Sequence, residues 1–172
     1  MCPYAQYLPP GLALRPRTDA DLAFLSDLYA STRAEELAPV PWSPEQKRAF
    51  LDDQFGKQHA HYLEHYPNAQ WYVIEHAGAP VGRFYVSRMA TEMRLMDVSL
   101  VAQWRGRGVG SALLHALVDE ADAAGLALTL HVEPYNPALR LYGRWGFEKI
   151  ESRGAYLYME RAPGAARPPT TK

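Results

Sequence analysis

The sequence contains a single cysteine, Cys2, and its formal net charge is only −1 over 172 residues. One cysteine excludes a disulfide within the chain, and the balanced charge excludes a broad basic surface for nucleic acid or acidic membranes. No apolar run is long enough to cross a bilayer, and the first residues, MCPYAQYLPPG, lack the basic start and the apolar stretch of an export signal. We therefore expect a cytoplasmic protein that binds neither nucleic acid nor membrane.

Residues that bind metals are also sparse. His59, His61 and His65 lie two and four residues apart within a predicted helix. No glutamate follows them in the zinc-protease pattern, so a solvated or substrate-side helix face is favoured over a metal site. We expect no metal.

The bulk composition is that of one globular domain, with 48% hydrophobic and 22% charged residues. Proline-rich stretches at both ends predict an irregular N-terminal segment over residues 1–11 and a disordered tail over residues 162–172. Residues 12–161 are then expected to form a single domain with a sizeable core.

Capping and turn signals divide the first half of the chain. LALRPRT predicts a strand, and Thr18 and Ser43 begin two helices, the second with Pro44 at its first position and Gln46 completing a capping box. AQWYVIEHAGAPVGRFYVSRMA predicts two strands joined by a tight turn at HAGAP, and MRLMDVSLVA predicts a further strand.

In the second half of the chain, predicted helices and strands alternate. VGSALLHALVDEADAAG predicts a helix that Gly125 ends, LALTLHVE an interior strand, and PALRLYGRW a short helix with Asn136 as its N-cap. FEKIESRGAYLYMER predicts one or two closing strands. The order β-α-α-β-β-β-α-β-α-β-β predicts an α/β (α+β) protein, in which a mixed sheet carries helices on both faces.

The stretch WRGRGVGSALL, residues 104–114, joins a strand to a helix through three glycines at alternate positions. The first N–H groups of a helix have no partner within the helix and attract anions, and glycines let a phosphate approach them closely. A nucleotide P-loop would need a lysine before Ser111, and the glycine spacing does not fit a dinucleotide fingerprint. A tight turn that binds nothing accounts poorly for the neighbouring Arg105 and Arg107.

Two motifs resemble those of the GNAT superfamily of acyl-CoA-dependent N-acyltransferases. RGRGVG is similar to the family signature Arg/Gln-x-x-Gly-x-Gly/Ala, and NPALRLYGRWGF, residues 136–147, is similar to its second motif. The predicted element order also matches the family from residue 12 to about residue 160. The resemblance implies a mostly antiparallel sheet of six or seven strands with about four helices, and acetyl-CoA as co-substrate without a metal.

The resemblance also implies a binding mode for coenzyme A. The strand DVSLVA would separate from LALTLHVE, and the pantetheine arm would lie in the opening along the main chain. The glycine loop would hold the pyrophosphate. The cofactor-binding residues expected on this basis are Leu100, Val101, Arg105, Gly106, Arg107, Gly108, Val109, Gly110, Ser111, Asn136 and Ala138.

Transfer to an amine requires an acid for the departing thiolate and a base for the amine. The resemblance gives Tyr142 the role of acid; the alternative is a half-buried aromatic with a backbone partner. For the base, Asp97 and Glu92 are candidates on the strand before the loop, and Glu133 is a third. A carboxylate in an apolar run is costly, so the position of Asp97 suggests a catalytic role. A salt bridge to Arg83 or Arg94 would explain this position equally well.

The acceptor site is the least defined part. Acidic residues near the first two helices would suit a cationic amine, and the residues expected to contact the acceptor are Arg33, Glu36, Gln54 and Tyr85, with a solvated helix end as the alternative for any one of them. The sequence thus predicts an N-acetyltransferase for a primary amine of a small molecule or protein, as monomer or homodimer. A non-catalytic acyl-CoA sensor and a nucleotide-dependent enzyme are the alternatives.

Overall fold

A seven-stranded sheet forms the centre of the computed structural model, which describes residues 4–169. The strands are β1 (Leu12–Pro16), β2 (Gln70–His76), β3 (Ala79–Arg88), β4 (Glu92–Leu100), β5 (Ala127–Val132), β6 (Glu148–Arg153) and β7 (Tyr156–Arg161). Their order across the sheet is β1-β2-β3-β4-β5-β7-β6. Every neighbouring pair is antiparallel except β4 and β5, which are parallel.

Four α-helices cover the sheet: α1 (Leu22–Leu37), α2 (Pro44–His65), α3 (Val109–Ala124) and α4 (Leu139–Arg144). Successive strand residues point to opposite faces. On β3, Arg83 contacts Gln58 of α2, whereas its neighbour Phe84 joins the buried cluster that includes apolar residues of α3. The helices therefore lie on both faces, and the predicted fold class and element order are confirmed.

The predicted capping box of α2 is confirmed. The Ser43 side chain accepts the N–H of Gln46, and the Gln46 side chain accepts the N–H of Ser43. The predicted tight turn between β2 and β3 is also present, and it uses positive φ angles at Ala77 and Gly78. Gly125 ends α3 in the left-handed conformation, as expected for a glycine at this position.

The predicted start of α4 is wrong. The helix begins at Leu139 with Ala138 as its N-cap residue, rather than at Pro137 with Asn136 as N-cap. The Asn136 side-chain oxygen accepts the Ala138 N–H at 2.8 Å, which closes a turn before the helix. The asparagine still satisfies a main-chain donor, but from a position two residues before the N-cap residue.

Both chain ends contact α3. Residues 4–11 form turns, and Tyr7 donates a hydrogen bond to Asp119. Residues 162–169 contain no helix or strand, and Arg167 pairs with Asp119 and Asp122. The predicted domain limits and the disorder of the tail stay predictions, and residues 1–3, with Cys2, and 170–172 lie outside the described residues.

Replacing Asp122 with asparagine should destabilise the protein by about 2 kcal/mol, because it removes the anion beside the buried Arg161. Partial burial opposes ionisation of Asp122, but hydrogen bonds from Arg161, the Gly164 N–H and Arg167 lower its pKa to about 2. The lowered pKa means that this stabilisation is complete above about pH 4 and is lost as the pH falls through about 2. Urea unfolding of the wild type and of Asp122→Asn at several pH values measures the difference in their free energies of unfolding. The same difference at pH 2 and at pH 7 would contradict the prediction.

Candidate active site

A gap opens between β4 and β5 halfway along β4. The two strands pair from Glu92 opposite Ala127 to Leu95 opposite Leu130, and no further, although β4 continues to Leu100. At this point β4 contains one extra residue relative to β3, and such a bulge bends the strand. The predicted separation of these two strands is confirmed.

The bulge also turns Asp97 to the other face of the sheet. Leu95 is opposite Val86 of β3, and Asp97 is opposite Tyr85, so Met96 is the extra residue. Leu95 and Val86 belong to the core cluster beside α3. Without the bulge Asp97 would continue on that face; with it, the carboxylate lies beside Tyr85 on the face that α2 covers.

The main chain of Leu100 faces the gap, but that of Val101 does not supply a free donor. The Val101 N–H donates to Val81 of β3 at 2.9 Å. Main-chain groups alternate in direction along a strand, so those of Leu100 face away from β3. The Val101 N–H is therefore used within the sheet, and the cofactor contact expected of Val101 stays a prediction. The Leu100 carbonyl accepts a hydrogen bond from Arg105 at 2.9 Å.

The glycine loop presents unpaired amides at the start of α3. Gly106 and Gly108 have φ angles of +73° and +82°, which residues other than glycine rarely adopt. Gly108 is the N-cap residue of α3. Within residues 4–169, no protein acceptor is hydrogen-bonded to the N–H groups of residues 106–111. A side chain added at Gly110 would meet nothing within 4 Å. The loop, including Val109 and Ser111, therefore has the donors and the space that an anion needs.

The two loop arginines are held at its rim. The Arg105 guanidinium also donates to the Ser31 hydroxyl of α1, at 3.3 Å, so it ties the loop to the first helix. The Arg107 guanidinium lies over the Trp104 ring, 4.8 Å from its centroid. Both positive charges add to the potential that the helix start provides for an anion.

Tyr142 on α4 has a hydroxyl with no hydrogen-bond partner in the part of the chain that the structure describes, although the residue is only 9% exposed. Burial, together with the nearby negative charges of Asp97 and Glu133, raises the pKa of Tyr142 to about 12. The hydroxyl is therefore protonated at neutral pH and free to donate a hydrogen bond. Its predicted alternative, a backbone partner, is absent among the described residues.

Asp97 forms the predicted salt bridge with Arg83 and not with Arg94. Its Oδ2 atom accepts from Arg83 Nε at 2.5 Å and from the Ser99 hydroxyl at 2.7 Å. The Oδ1 atom has no partner among residues 4–169, and the side chain is 27% exposed. Asp97 can thus accept a further proton donor while it remains bound to Arg83.

The structure does not bring Glu92 to the gap. Glu92 lies opposite the first residue of β5, at the closed end of the β4–β5 pair, and its carboxylate accepts from Thr129 and pairs with Arg94. Glu133, which follows β5, lies closer to the candidate acid, since its charge influences Tyr142. One Glu133 oxygen accepts from the Asn136 side chain at 2.9 Å.

The polar groups predicted on the second motif are already used within the protein. The Asn136 side chain donates to Glu133 and accepts from the Ala138 N–H. These contacts leave the Ala138 N–H without a role in cofactor binding. The direct cofactor contacts expected of Asn136 and Ala138 stay predictions that would require other atoms of these residues.

The four predicted acceptor residues occupy three places. Arg33 and Glu36 form an ion pair at 2.8 Å on α1, and the exposed Tyr135 donates to Glu36. Tyr85 is only 1% exposed and lies beside Asp97, and its buried hydroxyl has no partner within residues 4–169. Gln54 is half-buried on α2. Only Tyr85 is therefore next to a candidate catalytic group.

Two residues that contact this site were not predicted from the sequence, namely Ser99 and Gln58. Gln58 lies on α2 in helical spacing with the buried Leu51 and Phe55, and its side chain accepts from Arg83 at 2.9 Å. The spacing of those apolar residues indicates that position 58 faces the sheet. The spacing does not indicate which strand residue Gln58 would contact.

The sequence of residues 25–147 matches the Acetyltransferase (GNAT) family. The chain belongs to this family. The GNAT fold and both motifs therefore identify an acetyl-CoA-dependent N-acetyltransferase. No curated protein sequence matches the acetyltransferase significantly.

Solved structures share the fold. The PaiA N-acetyltransferase from Thermoplasma acidophilum, solved in complex with coenzyme A, is 16% identical with a TM-score of 0.67, over 88% of this chain and 98% of that one. Histone acetyltransferase HPA2 and related acetyltransferase from Corynebacterium glutamicum is 24% identical with a TM-score of 0.63, over 94% and 99%. Ard1 from Thermoplasma volcanium is 20% identical with a TM-score of 0.57, over 88% and 97%.

Residues 4–169 include no group of three or more histidine, cysteine, aspartate or glutamate side chains placed to hold a metal ion. Among the helices described, none combines the length and the apolar character that a membrane span requires.

Proposed function

We propose that this acetyltransferase moves the acetyl group from acetyl-CoA directly to a primary amine, with Tyr142 as the general acid and Asp97 as the group that accepts the amine's proton. The observation that carries the proposal is the protonated hydroxyl of Tyr142, which has no hydrogen-bond partner within residues 4–169 and lies within the electrostatic influence of Asp97. An acid and a carboxylate close enough to influence each other are the two groups that the reaction requires.

The proposed binding of coenzyme A follows from the free amides. The pyrophosphate would lie against the N–H groups of residues 106–111, and the pantetheine arm would follow β4 at Leu100. The co-substrate supplies the thioester whose acetyl group is transferred. Arg105 would have to share its hydrogen bond to Leu100, or release it, when the arm binds.

In the transfer itself, the amine nitrogen attacks the acetyl carbon, and the bond from that carbon to sulfur breaks. The amine proton passes to Asp97 Oδ1, directly or through water, and the electron pair of the broken bond goes to sulfur. Tyr142 donates its proton to that sulfur and regains one from the protonated Asp97, directly or through water, so that both groups return to their starting states. The products are the acetylated amine and the free thiol.

We propose a cationic amine as the acceptor. Arg83 balances the charge of Asp97, and Arg33 balances that of Glu36. Within residues 4–169, the Glu133 side chain accepts from the neutral amide of Asn136 and forms no ion pair, so no described cation balances its charge near Tyr142. This charge would attract an ammonium group from a small molecule or from a protein.

The turnover of the enzyme should not decline on the alkaline side between about pH 8 and about pH 10. An ordinary tyrosine would be half deprotonated near pH 10, but the pKa of Tyr142 is raised to about 12, so its acidic form persists over this whole range. The check is kcat against pH at saturating acceptor. A decline centred near pH 9 in a protein that remains folded would contradict the assignment of Tyr142 as the acid.

Thiol release from acetyl-CoA, measured over a panel of primary amines, tests the proposed function. At least one cationic amine should be acetylated, and Asp97→Asn should lower kcat for it by about 10²-fold. If the protein binds coenzyme A and releases thiol with no amine in the panel, the proposed amine transfer is wrong and the sensor alternative gains support. If Asp97→Asn retains the wild-type kcat, Asp97 is not the proton acceptor.

A further inference from the structure

A buried cation lies at the centre of the face that α2 covers. Arg83 is only 3% exposed, and its guanidinium makes contacts in three directions. Nε donates to Asp97, an Nη atom donates to Gln58, and the group lies over the Tyr85 ring at 4.7 Å from its centroid. Strand β3, strand β4 and helix α2 therefore meet at one side chain.

We propose that Arg83 and Gln58 are positioning residues for the transfer: they hold Asp97 so that its Oδ1 atom faces the reacting amine. This inference rests on the proposed role of Asp97. Neither residue would touch the substrate. They would act through the carboxylate alone.

The geometry supports positioning because all the donors to Asp97 meet one oxygen. Arg83 Nε and the Ser99 hydroxyl both donate to Oδ2, which fixes the plane of the carboxylate and leaves Oδ1 without a partner in residues 4–169. The guanidinium is in turn fixed by Gln58 and by the Tyr85 ring. A carboxylate on a bulged strand, 27% exposed, would otherwise be free to rotate.

The charged and titratable groups that face Asp97 come from each element packed against it. They are Arg83 and Tyr85 on β3, Tyr62 on α2 and Tyr142 on α4. Arg83 is the only cation of this set. Removing Arg83 therefore takes away both the counter-ion of Asp97 and one of the donors that fix its carboxylate.

Arg94 on β4 provides a matched control. It is also a largely buried arginine that pairs with a carboxylate, Glu92, and contacts Tyr66, the residue that follows α2. This second ion pair lies at the closed end of β4 and β5, away from the gap. Loss of either arginine should reduce stability, but only Arg83 is connected to the proposed proton acceptor.

The experiment compares kcat and the KM for acetyl-CoA in Arg83→Met, Arg83→Lys, Gln58→Met and Arg94→Met. We expect Arg83→Met to lower kcat by about 10- to 100-fold, with the KM for acetyl-CoA changed by less than about threefold. Lysine keeps the positive charge and should restore part of kcat. Arg94→Met should lose stability but keep kcat within about threefold.

Gln58→Met keeps all the charges and should lower kcat by about fivefold with little change in the KM for acetyl-CoA, so it decides the question if Arg83→Met does not fold. Equal kcat values in Arg83→Met and Arg94→Met, or wild-type kcat in Gln58→Met, would overturn the positioning role. The Asp97→Asn variant separates the two proposals. If that variant is impaired while the Arg83 and Gln58 variants are not, Asp97 keeps its role and only the positioning inference fails.

Discussion

Tyr142→Phe should lower kcat by about 10²- to 10³-fold while the affinity for coenzyme A changes by less than about twofold. The hydroxyl makes no hydrogen bond to residues 4–169, so its removal leaves no protein group without a partner. The ring can keep its packing against Phe147, at 5.6 Å between centroids. The loss should therefore fall on the chemical step and not on folding or binding.

Steady-state thiol release and calorimetric titration with coenzyme A measure these two quantities separately. Tyr158→Phe on β7 is the matched control, because Tyr158 is also 9% exposed and its ring lies between Arg94 and Arg153. This control should retain kcat within about threefold. A Tyr142→Phe enzyme that turns over at the wild-type rate, or that loses affinity as much as turnover, would show that Tyr142 only packs.

Gly110→Val should weaken coenzyme A binding by at least about 100-fold in a protein that remains folded. Gly110 is in the first turn of α3 with an ordinary φ, and a Cβ atom added there would meet nothing within 4 Å, so we expect valine to cost the fold little. The same side chain would occupy the space through which a phosphate reaches the amides. Hydrogen bonds to a charged group contribute about 1.5 to 3 kcal/mol each, so losing one or two accounts for this factor.

The control for Gly110→Val is Gly56→Val on α2, where an added side chain also meets nothing within 4 Å. Coenzyme A should raise the melting temperature of the wild type and of Gly56→Val, and should leave that of Gly110→Val unchanged. Gly110→Ala should bind with intermediate affinity because its side chain is smaller. Undiminished affinity in Gly110→Val would place the pyrophosphate elsewhere.

Local signals in the sequence were sufficient for much of the fold. Ser43 and Gln46 cap α2 as predicted because a capping box involves only neighbouring residues. The glycine loop was equally readable, since the φ angles at Gly106 and Gly108 and the start of α3 all follow from one short stretch. The family resemblance added the position of the gap between β4 and β5.

The errors arose where the outcome depends on pairing between distant strands. Glu92 and Asp97 lie on the same strand, and the sequence does not reveal that β5 pairs with the first and leaves the second at the gap. The bulge at Met96, which decides the face that Asp97 occupies, has no glycine or proline to mark it. The contact of Gln58 with Arg83 joins residues 25 positions apart and depends on how α2 packs on the sheet.

Asn136 shows a different limit. Capping a helix and closing a turn before it use the same side-chain oxygen and the same kind of main-chain donor. The sequence NPALRLY is compatible with both, and the structure has the turn, with α4 beginning at Leu139. The asparagine therefore predicted a side-chain bond to a main-chain N–H correctly, but it did not predict the residue at which α4 begins.

The central claim is that the unpaired amides at the start of α3 bind the diphosphate of coenzyme A. Selective ¹⁵N labelling of the 12 glycines tests it most directly, because each glycine amide reports on its own position. Addition of coenzyme A should shift the signals of Gly106, Gly108 and Gly110 strongly, and pantetheine, which lacks the diphosphate, should not. Saturation with coenzyme A that leaves these three signals unmoved, while glycines remote from the gap shift, would contradict the account.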